Sequence, residues 1–204
     1  MQMDFILTRE IEQLPEPAAL AVAFDVRHLH DPNDRDCDRL DRFYTAQGFP
    51  AKWSERLLAN GAQAVMICCG ASAIAAGWLT RKPFYVEEIR RTFDPGSAMD
   101  YYFGDLVAPD FRGKGLQRAL IRERLRLTHQ SGRKGSTAMT NPALPASYNN
   151  YCTEGFSVTL TLCKRVCLGM EWTRVCCTDS RLFQGRLSKE GLRMPFSSYL
   201  RLRR

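Results

Sequence analysis

The sequence lacks the motifs that mark several common classes of protein. Its eight cysteines include no Cys-x-x-Cys pair and its three histidines do not flank them, so no metal site is predicted. No internal repeat occurs. Neither a Walker A loop nor a Gly-x-Gly-x-x-Gly fingerprint is present, which excludes the two commonest nucleotide-binding signatures.

The sequence also lacks a basic start followed by a long apolar run, and no secretory signal peptide is predicted. Two adjacent cysteine pairs, Cys68 with Cys69 and Cys176 with Cys177, lie in strand-like segments. Neighbours on a strand point to opposite faces, which makes such pairs poor disulfide partners. Reduced thiols and a cytoplasmic location are therefore expected.

A long uninterrupted hydrophobic run is also missing. The 24 residues 57–80 carry no charge, which is long enough to cross a bilayer. However, Gly61 and Gly70 interrupt this segment, and short apolar runs between such residues are typical of strands. We therefore expect strands over 64–69 and 73–80 rather than a membrane span.

Composition and charge describe a basic globular protein. Of 204 residues, 45% are hydrophobic and 25% are charged, and 29 Lys and Arg against 22 Asp and Glu give a net charge of +7. The excess is uneven, because residues 1–60 carry 11 acidic and 7 basic residues whereas 110–134 carry two acidic and eight basic residues. This charge favours an anionic partner, and nucleic acid, an acidic membrane and a phosphorylated small molecule all stay open.

Hydrophobic periodicity and turn residues predict alternating helices and strands. Helices are predicted over 16–29, 36–47, 52–58, 116–130 and 145–154. Strands are predicted over 4–8, 64–69, 73–80, 100–107, 136–140, 156–166 and 171–178, with a bulge at Gly104. The polar segment 81–96 is predicted to be a surface lid or a short helix with a turn. The fold class is therefore α/β, with a mixed, mostly antiparallel central sheet flanked by helices.

A strand, a glycine-bearing loop and a helix follow one another at 100–130. Gly113 and Gly115 allow the loop to turn its N–H groups inward, and the helix adds its positive dipole end. Arg112 and Lys114 add positive charge beside them. The pattern is typical of a phosphate-binding loop, and a basic surface turn is the alternative interpretation.

The surrounding residues make this pattern more specific. Val107-x-Pro109-x-Phe111-Arg112-Gly113-Lys114-Gly115-Leu116, followed by Ala119-Leu120, resembles the acetyl-coenzyme A loop of the GNAT acyltransferase superfamily. Ala146-Ser147-x-x-x-Tyr151-x-x-x-Gly155-Phe156 resembles the second signature of that superfamily, a helix ending in Gly-Phe. The two motifs have the right order and separation, and the resemblance covers about residues 64–178.

The resemblance implies a splayed sheet that holds the pantetheine arm between two central strands. The cofactor-binding residues that it implies are Leu106, Val107, Phe111, Arg112, Gly113, Lys114, Gly115, Leu116, Gln117, Arg118 and Asn141. Three positions depart from the superfamily pattern. Asp110 replaces a common Gln or Arg, Gln117 replaces a common Gly, and Asn141 lies about three residues further from Gly155 than usual.

The resemblance also implies catalytic residues. Tyr151 lies where the superfamily has the tyrosine that protonates the departing thiolate, with Tyr148 as an alternative. The oxyanion donor would be a strand amide, of Leu106 or Val107. Asp105 is the favoured candidate for a general base. Other carboxylates that stay open for that role are Asp100, Glu87 and Glu88, and a water chain is a further alternative. Aromatic residues that are candidates to line an acceptor pocket are Trp53, Trp78, Phe84, Tyr85, Tyr101 and Tyr102.

The predicted function is N-acyl transfer from acetyl-coenzyme A, by direct attack in a ternary complex, to an amine of a small molecule, peptide or protein. One alternative is a nucleic-acid-binding or regulatory module that uses the basic stripe Arg118, Arg122 and Arg126 and the basic tail, although no aromatic residues for base stacking accompany the stripe. Another is an inactive acyl-coenzyme A binder. We expect an acetyltransferase domain over 1–180, a basic C-terminal extension over 181–204, no membrane partner and a candidate homodimer contact.

Overall fold

The computed structural model describes residues 2–17, 24–87, 89–167, 170–177 and 186–188. The helices are α1 (Cys37–Ala46), α2 (Trp53–Ala59), α3 (Leu116–Gln130) and α4 (Pro145–Thr153). The first strands are β1 (Gln2–Glu10), β2 (Phe24–Leu29), β3 (Gln63–Cys69), β4 (Ser72–Thr80), β5 (Phe84–Val86) and β6 (Arg91–Asp94). The later strands are β7 (Met99–Val107), β8 (Gly135–Thr140), β9 (Ser157–Cys167), β10 (Met170–Cys177) and β11 (Arg186–Ser188).

Eight of these strands form one sheet in the order β10-β9-β1-β8-β7-β4-β3-β2. Among the described strands, β7 and β8 form the one parallel pair of this sheet, and α3 connects them. Its other neighbouring pairs are antiparallel. The predicted α/β class with a mixed, mostly antiparallel sheet is confirmed.

The uncharged segment 57–80 forms the end of α2 and the β3–β4 hairpin, as predicted for its strands. Gly70 has a φ of +57° in the turn between the two strands, a conformation that favours glycine. Both strands are buried on both faces for most of their length, which explains the lack of polar alternation. No helix in the described part of the chain is long and apolar enough to span a bilayer.

Helices α1 and α2 cover one face of the sheet. Leu40 and Tyr44 of α1 pack with Trp53 and Leu57 of α2 against Trp78 of β4. The helices predicted over 36–47 and 52–58 are confirmed, because their apolar residues recur at helical spacing.

Helix α3 covers the opposite face, together with α4. Leu120, Ile121 and Leu125 are fully buried there, and Ile121 and Leu125 pack with Tyr151 of α4. Helix α3 has the predicted bounds, since its apolar stripe begins directly after Gly115 and Gly132 follows its end.

Two sequence predictions are wrong. The helix predicted over 16–29 is contradicted by β2, which pairs antiparallel with β3, while residues 18–23 lie outside the described part. The short helix that was one alternative for segment 81–96 is also wrong, because β5 and β6 form a hairpin there, to which β11 adds a third strand. The buried apolar residues Val86, Ile89 and Phe93 of this segment pack with Tyr101 of the main sheet.

The β5–β6 hairpin packs on the same face as α1 and α2. Val86 and Phe93 of the hairpin pack with Tyr101, and the ring of Phe84 lies 4.2 Å from that of Phe103. Tyr101 and Phe103 are two residues apart on β7 and stack on each other, whereas Tyr102 between them packs on the α3 side. Of the predicted extension 181–204, only β11 is described, and the domain boundaries stay predictions.

Candidate active site

An opening in the sheet lies between β7 and β8. The two strands pair over four residues, from Met99 with Gly135 to Tyr102 with Ala138. Beyond Tyr102, β7 continues for five residues to Val107, and these residues have no register partner on β8. The edge of β7 that faces β8 therefore carries backbone groups that β8 does not pair along this stretch.

A bulge at Gly104 directs the side chains that follow. Gly77 of β4 lies opposite both Gly104 and Asp105, and Gly104 has a φ of +66°. A Cβ on Gly104 would lie 2.9 Å from Trp78, so a larger residue would clash. The extra residue turns Asp105 to the α3 face while Phe103 packs on the α1–α2 face, which confirms the predicted bulge.

The ladder register fixes which backbone groups face the opening. The N–H of Ala108 donates to the carbonyl of Ile74 on β4 at 2.8 Å. Hydrogen-bonded positions alternate along an antiparallel pair, so Leu106 also turns its backbone groups toward β4. Val107, between them, turns its N–H and carbonyl toward the opening. Of the two residues predicted to pair with pantetheine, Val107 is the one that presents its backbone groups there.

The glycine loop follows directly on β7. Residues Pro109–Phe111 form one 3-10 turn, and Gly113 and Gly115 then have φ values of +74° and +76°. Nothing lies within 4 Å of a Cβ built on either glycine, so the loop borders open space. The N–H groups of the first turn of α3, which begins at Leu116, have no acceptor inside the helix. The loop and helix together offer a row of donors to an anion.

Two cations flank this loop. Arg112 directs its Nε toward the Val107 carbonyl at 3.4 Å, and the Lys114 ammonium lies 4.8 Å from the centre of the Phe111 ring. Both side chains are exposed, as expected for groups that attract an anionic ligand from solvent.

Three side chains meet on the α3 side of the opening. The Tyr151 hydroxyl donates to Oδ2 of Asp105 at 2.9 Å, and Nη2 of Arg124 donates to the same oxygen at 2.8 Å. Nη1 of Arg124 lies 2.7 Å from the other Asp105 oxygen. Nη2 of Arg124 is also 3.4 Å from the Tyr151 oxygen. The two predicted catalytic residues are thus in direct contact, and a third residue that was not predicted joins them.

Burial strongly affects these groups. The Arg124 side chain has no exposed surface, and its Nη1 also donates to the Trp78 carbonyl at 2.9 Å. Burial first, and then the Asp105 carboxylate, raise the pKa of Tyr151 well above its ordinary value, against the opposing charge of Arg124. Tyr151 therefore stays protonated at neutral pH.

The sequence contained one signal for Arg124. It lies at position i+8 from Leu116 and i+4 from Leu120, on the apolar stripe of α3 rather than on the basic one. A charged residue on such a stripe indicates a buried partner.

Gln117 links the helices above this network. Its Nε2 donates to Ser147 Oγ at 3.1 Å and approaches Asp105 at 3.4 Å, and its Oε1 accepts from Asn150 at 2.8 Å. Gln117, which stands where the GNAT superfamily commonly has glycine, therefore links α3 to α4 by hydrogen bonds.

The basic stripe is partly neutralised. Arg118 and Arg122 donate from Nε to the two oxygens of Glu154 at 2.7 and 2.8 Å, and Arg9 bonds the Glu154 carbonyl. Arg126 donates to the Pro15 carbonyl at 2.9 Å. These guanidinium groups are held by the protein itself, which weakens the case for a stripe that tracks nucleic-acid phosphates.

The other predicted site residues lie elsewhere. Asn141 accepts the Ala143 N–H on its side chain at 2.8 Å, and so closes the turn before α4. Asp100 is fully buried beside Thr128 and Arg81 at the paired end of β7. Tyr148 packs against the Phe5 ring, and Glu87 lies in the turn after β5. Glu88 lies outside the described residues.

No sequence model of a protein family and no curated protein matches this chain. Solved structures do match. A GCN5-related N-acetyltransferase from Sphaerobacter thermophilus has a TM-score of 0.56 at 12% identity, over 78% of this chain and 49% of its own. A GNAT-family acetyltransferase from Colwellia psychrerythraea has a TM-score of 0.54 at 15% identity, over 78% of this chain and 53% of its own.

A third match is AAC(6')-Iy in complex with the bisubstrate analogue CoA-S-monomethyl-acetylneamine. Its TM-score is 0.51 at 21% identity, and the match covers 71% of this chain and 95% of that one. The chain therefore has the fold of the GNAT acetyltransferases, as the two sequence motifs implied. It spans about half the length of the Sphaerobacter and Colwellia proteins.

Proposed function

We propose that this chain transfers an acetyl group from acetyl-coenzyme A to an amine. The observation that carries the proposal is the opening between β7 and β8, which is bordered by the glycine loop and has Tyr151 in contact with Asp105 of β7 on its α3 side. An extended amide-bearing arm and a diphosphate are the two parts of coenzyme A that such a groove and such a loop would bind.

The residues present fit this cosubstrate. On the edge of β7 that β8 does not pair, the Val107 N–H is suited to pair with a pantetheine carbonyl, and the Val107 carbonyl, which Arg112 Nε approaches at 3.4 Å, faces the same opening. The loop N–H groups from Phe111 to Leu116 and the start of α3 would hold the diphosphate, and Arg112 and Lys114 would neutralise part of its charge.

The chemistry needs an acid for the departing sulfur. In the proposed reaction the amine nitrogen attacks the thioester carbon, the carbon–sulfur bond breaks, and the sulfur takes the phenolic proton of Tyr151. The negative charge left on the Tyr151 oxygen would then lie 3.4 Å from the Arg124 guanidinium. The amine loses its extra proton to solvent or to a base.

Asp105 is better suited to positioning than to general base catalysis. Both of its oxygens contact Arg124, and one also accepts the Tyr151 hydroxyl. These partners occupy both oxygens, and the carboxylate holds the Tyr151 phenol in place, so the hydroxyl must turn from Asp105 to the sulfur before it can donate its proton there. We propose this orienting role for Asp105 in place of the base first predicted.

Two measurements on the purified chain test the proposal. Acetyl-coenzyme A should raise the melting temperature, because a ligand selective for the native state stabilises it. A panel of amines should then yield free thiol at a rate that depends on the amine. Stabilisation without thiol release from any amine would favour an inactive binder, and the absence of stabilisation would contradict the proposal.

A further inference from the structure

The two faces of the opening are not equally accessible to an amine. On the α3 face, Tyr151, Asp105 and Arg124 fill the space between the helices and β7, and all three are buried or nearly so. An acceptor that attacks a thioester held in the opening must therefore approach from the other face. That face carries α1, α2 and the β5–β6 hairpin.

A cavity of about 280 Å³ lies on that face, between the end of α2 and the hairpin. Its apolar wall includes Leu57, Ala62, Phe84 and Tyr85. This volume lies just below the usual range of about 300–1,000 Å³ for small-molecule sites, so the cavity suits a small molecule rather than a folded partner.

The cavity is adjacent to the start of the opening. The Phe84 ring, which lines the cavity, lies 4.2 Å from the Phe103 ring. Phe103 directly follows Tyr102, the last residue of β7 that pairs with β8. A ligand in the cavity is thus separated by one pair of rings from the point where the strands diverge.

Lys82 is the one charged residue among the described residues that line the cavity, and its side chain is exposed to solvent. The Lys82 N–H bonds Thr80 Oγ1 at 3.1 Å, which fixes the backbone of Lys82 at the cavity edge. A Cβ on Gly61 would lie 3.0 Å from Lys82 Nζ, so the ammonium lies over a residue without a side chain. Among the described residues, no carboxylate forms an ion pair with Lys82 within 4 Å.

We infer that the acceptor is a small primary amine that also carries an anionic group such as a carboxylate, and that Lys82 binds this group in the cavity beside Phe84. This inference rests on the proposed function, since it concerns the second substrate of the same reaction. The apolar wall would hold the body of the molecule, and its amine would reach the opening once the Phe84 ring turns away from the Phe103 ring that it contacts. Polyamines, which carry only positive charge, are disfavoured by Lys82.

Matched acceptors test this class directly. Amino acids would be compared with their uncharged amides, for example L-phenylalanine with L-phenylalaninamide, and with spermidine, all at saturating acetyl-coenzyme A. We expect kcat/KM for the preferred amino acid to exceed that of its amide about tenfold, the size of one charge-assisted hydrogen bond. Lys82→Ala should abolish this difference, while Lys82→Arg should keep most of it.

Lys52→Ala is the matched control, because Lys52 is an exposed lysine at the other end of α2, outside the cavity. It should leave both acceptors unchanged. The dissociation constant of acetyl-coenzyme A, measured in parallel, should be the same in all variants. A wild-type chain that does not bind acetyl-coenzyme A would contradict the proposed function itself.

Other results would overturn the acceptor class alone. These are equal use of amino acids and amides, a preference for spermidine, or an equal loss for both acceptors in Lys82→Ala. The class would also be overturned if the chain binds acetyl-coenzyme A and the panel amino acids are neither acetylated nor able to raise its melting temperature further.

Discussion

Arg124 and Asp105 form a buried ion pair directly over Gly77. Their closest atoms, Nη1 and Oδ1, are 2.7 Å apart, and a Cβ on Gly77 would lie 2.6 Å from the same Oδ1 and 3.1 Å from the guanidinium. The pair joins α3 to the strand that borders the opening, and it holds the hydroxyl of Tyr151. Structure and proposed chemistry therefore depend on the same contact.

Gly77→Ala should destabilise the chain, because the added methyl group overlaps Asp105 and Arg124. We expect a loss of about 1–3 kcal/mol in the free energy of unfolding, measured by urea denaturation. Ser72→Ala, at the exposed start of β4, is the control and should change stability by less than about 0.5 kcal/mol. Equal stability of Gly77→Ala and the wild type would contradict the placement of the ion pair.

Arg124→Met should be more destabilising, since it leaves the Asp105 carboxylate buried without its cation. Loss of one partner of a buried pair typically costs about 3–5 kcal/mol. Combining Arg124→Met with Asp105→Asn should restore part of this loss, and a double-mutant cycle measures the coupling. Additive effects of the two substitutions would show that the residues do not interact.

Tyr151→Phe removes the proposed acid but keeps the ring in its apolar surroundings. We expect kcat to fall about 10²-fold or more, the usual contribution of a general acid, with the acetyl-coenzyme A affinity changed less than about twofold. Tyr148→Phe, one turn earlier on α4, should retain most of the activity. Unchanged turnover in Tyr151→Phe would remove Tyr151 from the acid role.

The Glu154 cluster predicts a pH dependence of stability. Burial raises the pKa of Glu154, but hydrogen bonds from Arg122 and Arg118 outweigh this effect and lower the pKa below its usual value. A carboxyl group whose folded pKa is lowered stabilises the native state above its unfolded pKa of about 4.3, and this contribution disappears as the pH falls through the folded pKa.

The melting temperatures of the wild type and Glu154→Gln should therefore differ most near neutral pH. The difference should shrink below about pH 4, as the wild-type carboxyl group protonates. A difference that is constant from pH 3 to pH 7 would argue that the ion pairs with Arg118 and Arg122 do not contribute.

The two cations of the glycine loop should contribute to cosubstrate affinity. The double substitution Arg112→Ala with Lys114→Ala should raise the dissociation constant of acetyl-coenzyme A about tenfold and reduce its salt dependence. Lys134→Ala, beyond the opposite end of α3, is the matched control and should have no effect. If the double variant bound acetyl-coenzyme A as tightly as the wild type, the diphosphate would not bind at this loop.

Local patterns predicted the parts of the site that local chemistry determines. The glycine loop, the start of α3 and the position of Tyr151 four residues before Gly155 all depend on residues close in sequence. Their prediction needed only turn chemistry, periodicity and a resemblance to known motifs.

Long-range contacts explain what the sequence did not reveal. The burial of Arg124 depends on Asp105 and Trp78, which lie 19 and 46 residues away. Segment 81–96 forms a hairpin whose buried apolar side chains pack against the main sheet. Residues 24–29 form strand β2 because they pair with the edge of β3. Such partners are set by the assembled sheet and leave little trace in local periodicity.

Isothermal titration of acetyl-coenzyme A into the purified chain tests the central claim most directly. We predict saturable binding of one molecule per chain, with an affinity that falls in the Arg112 and Lys114 double variant and is kept in Tyr151→Phe. No measurable binding by the wild-type chain, or binding that the double variant leaves unchanged, would contradict the assignment of the opening and its loop as the coenzyme A site.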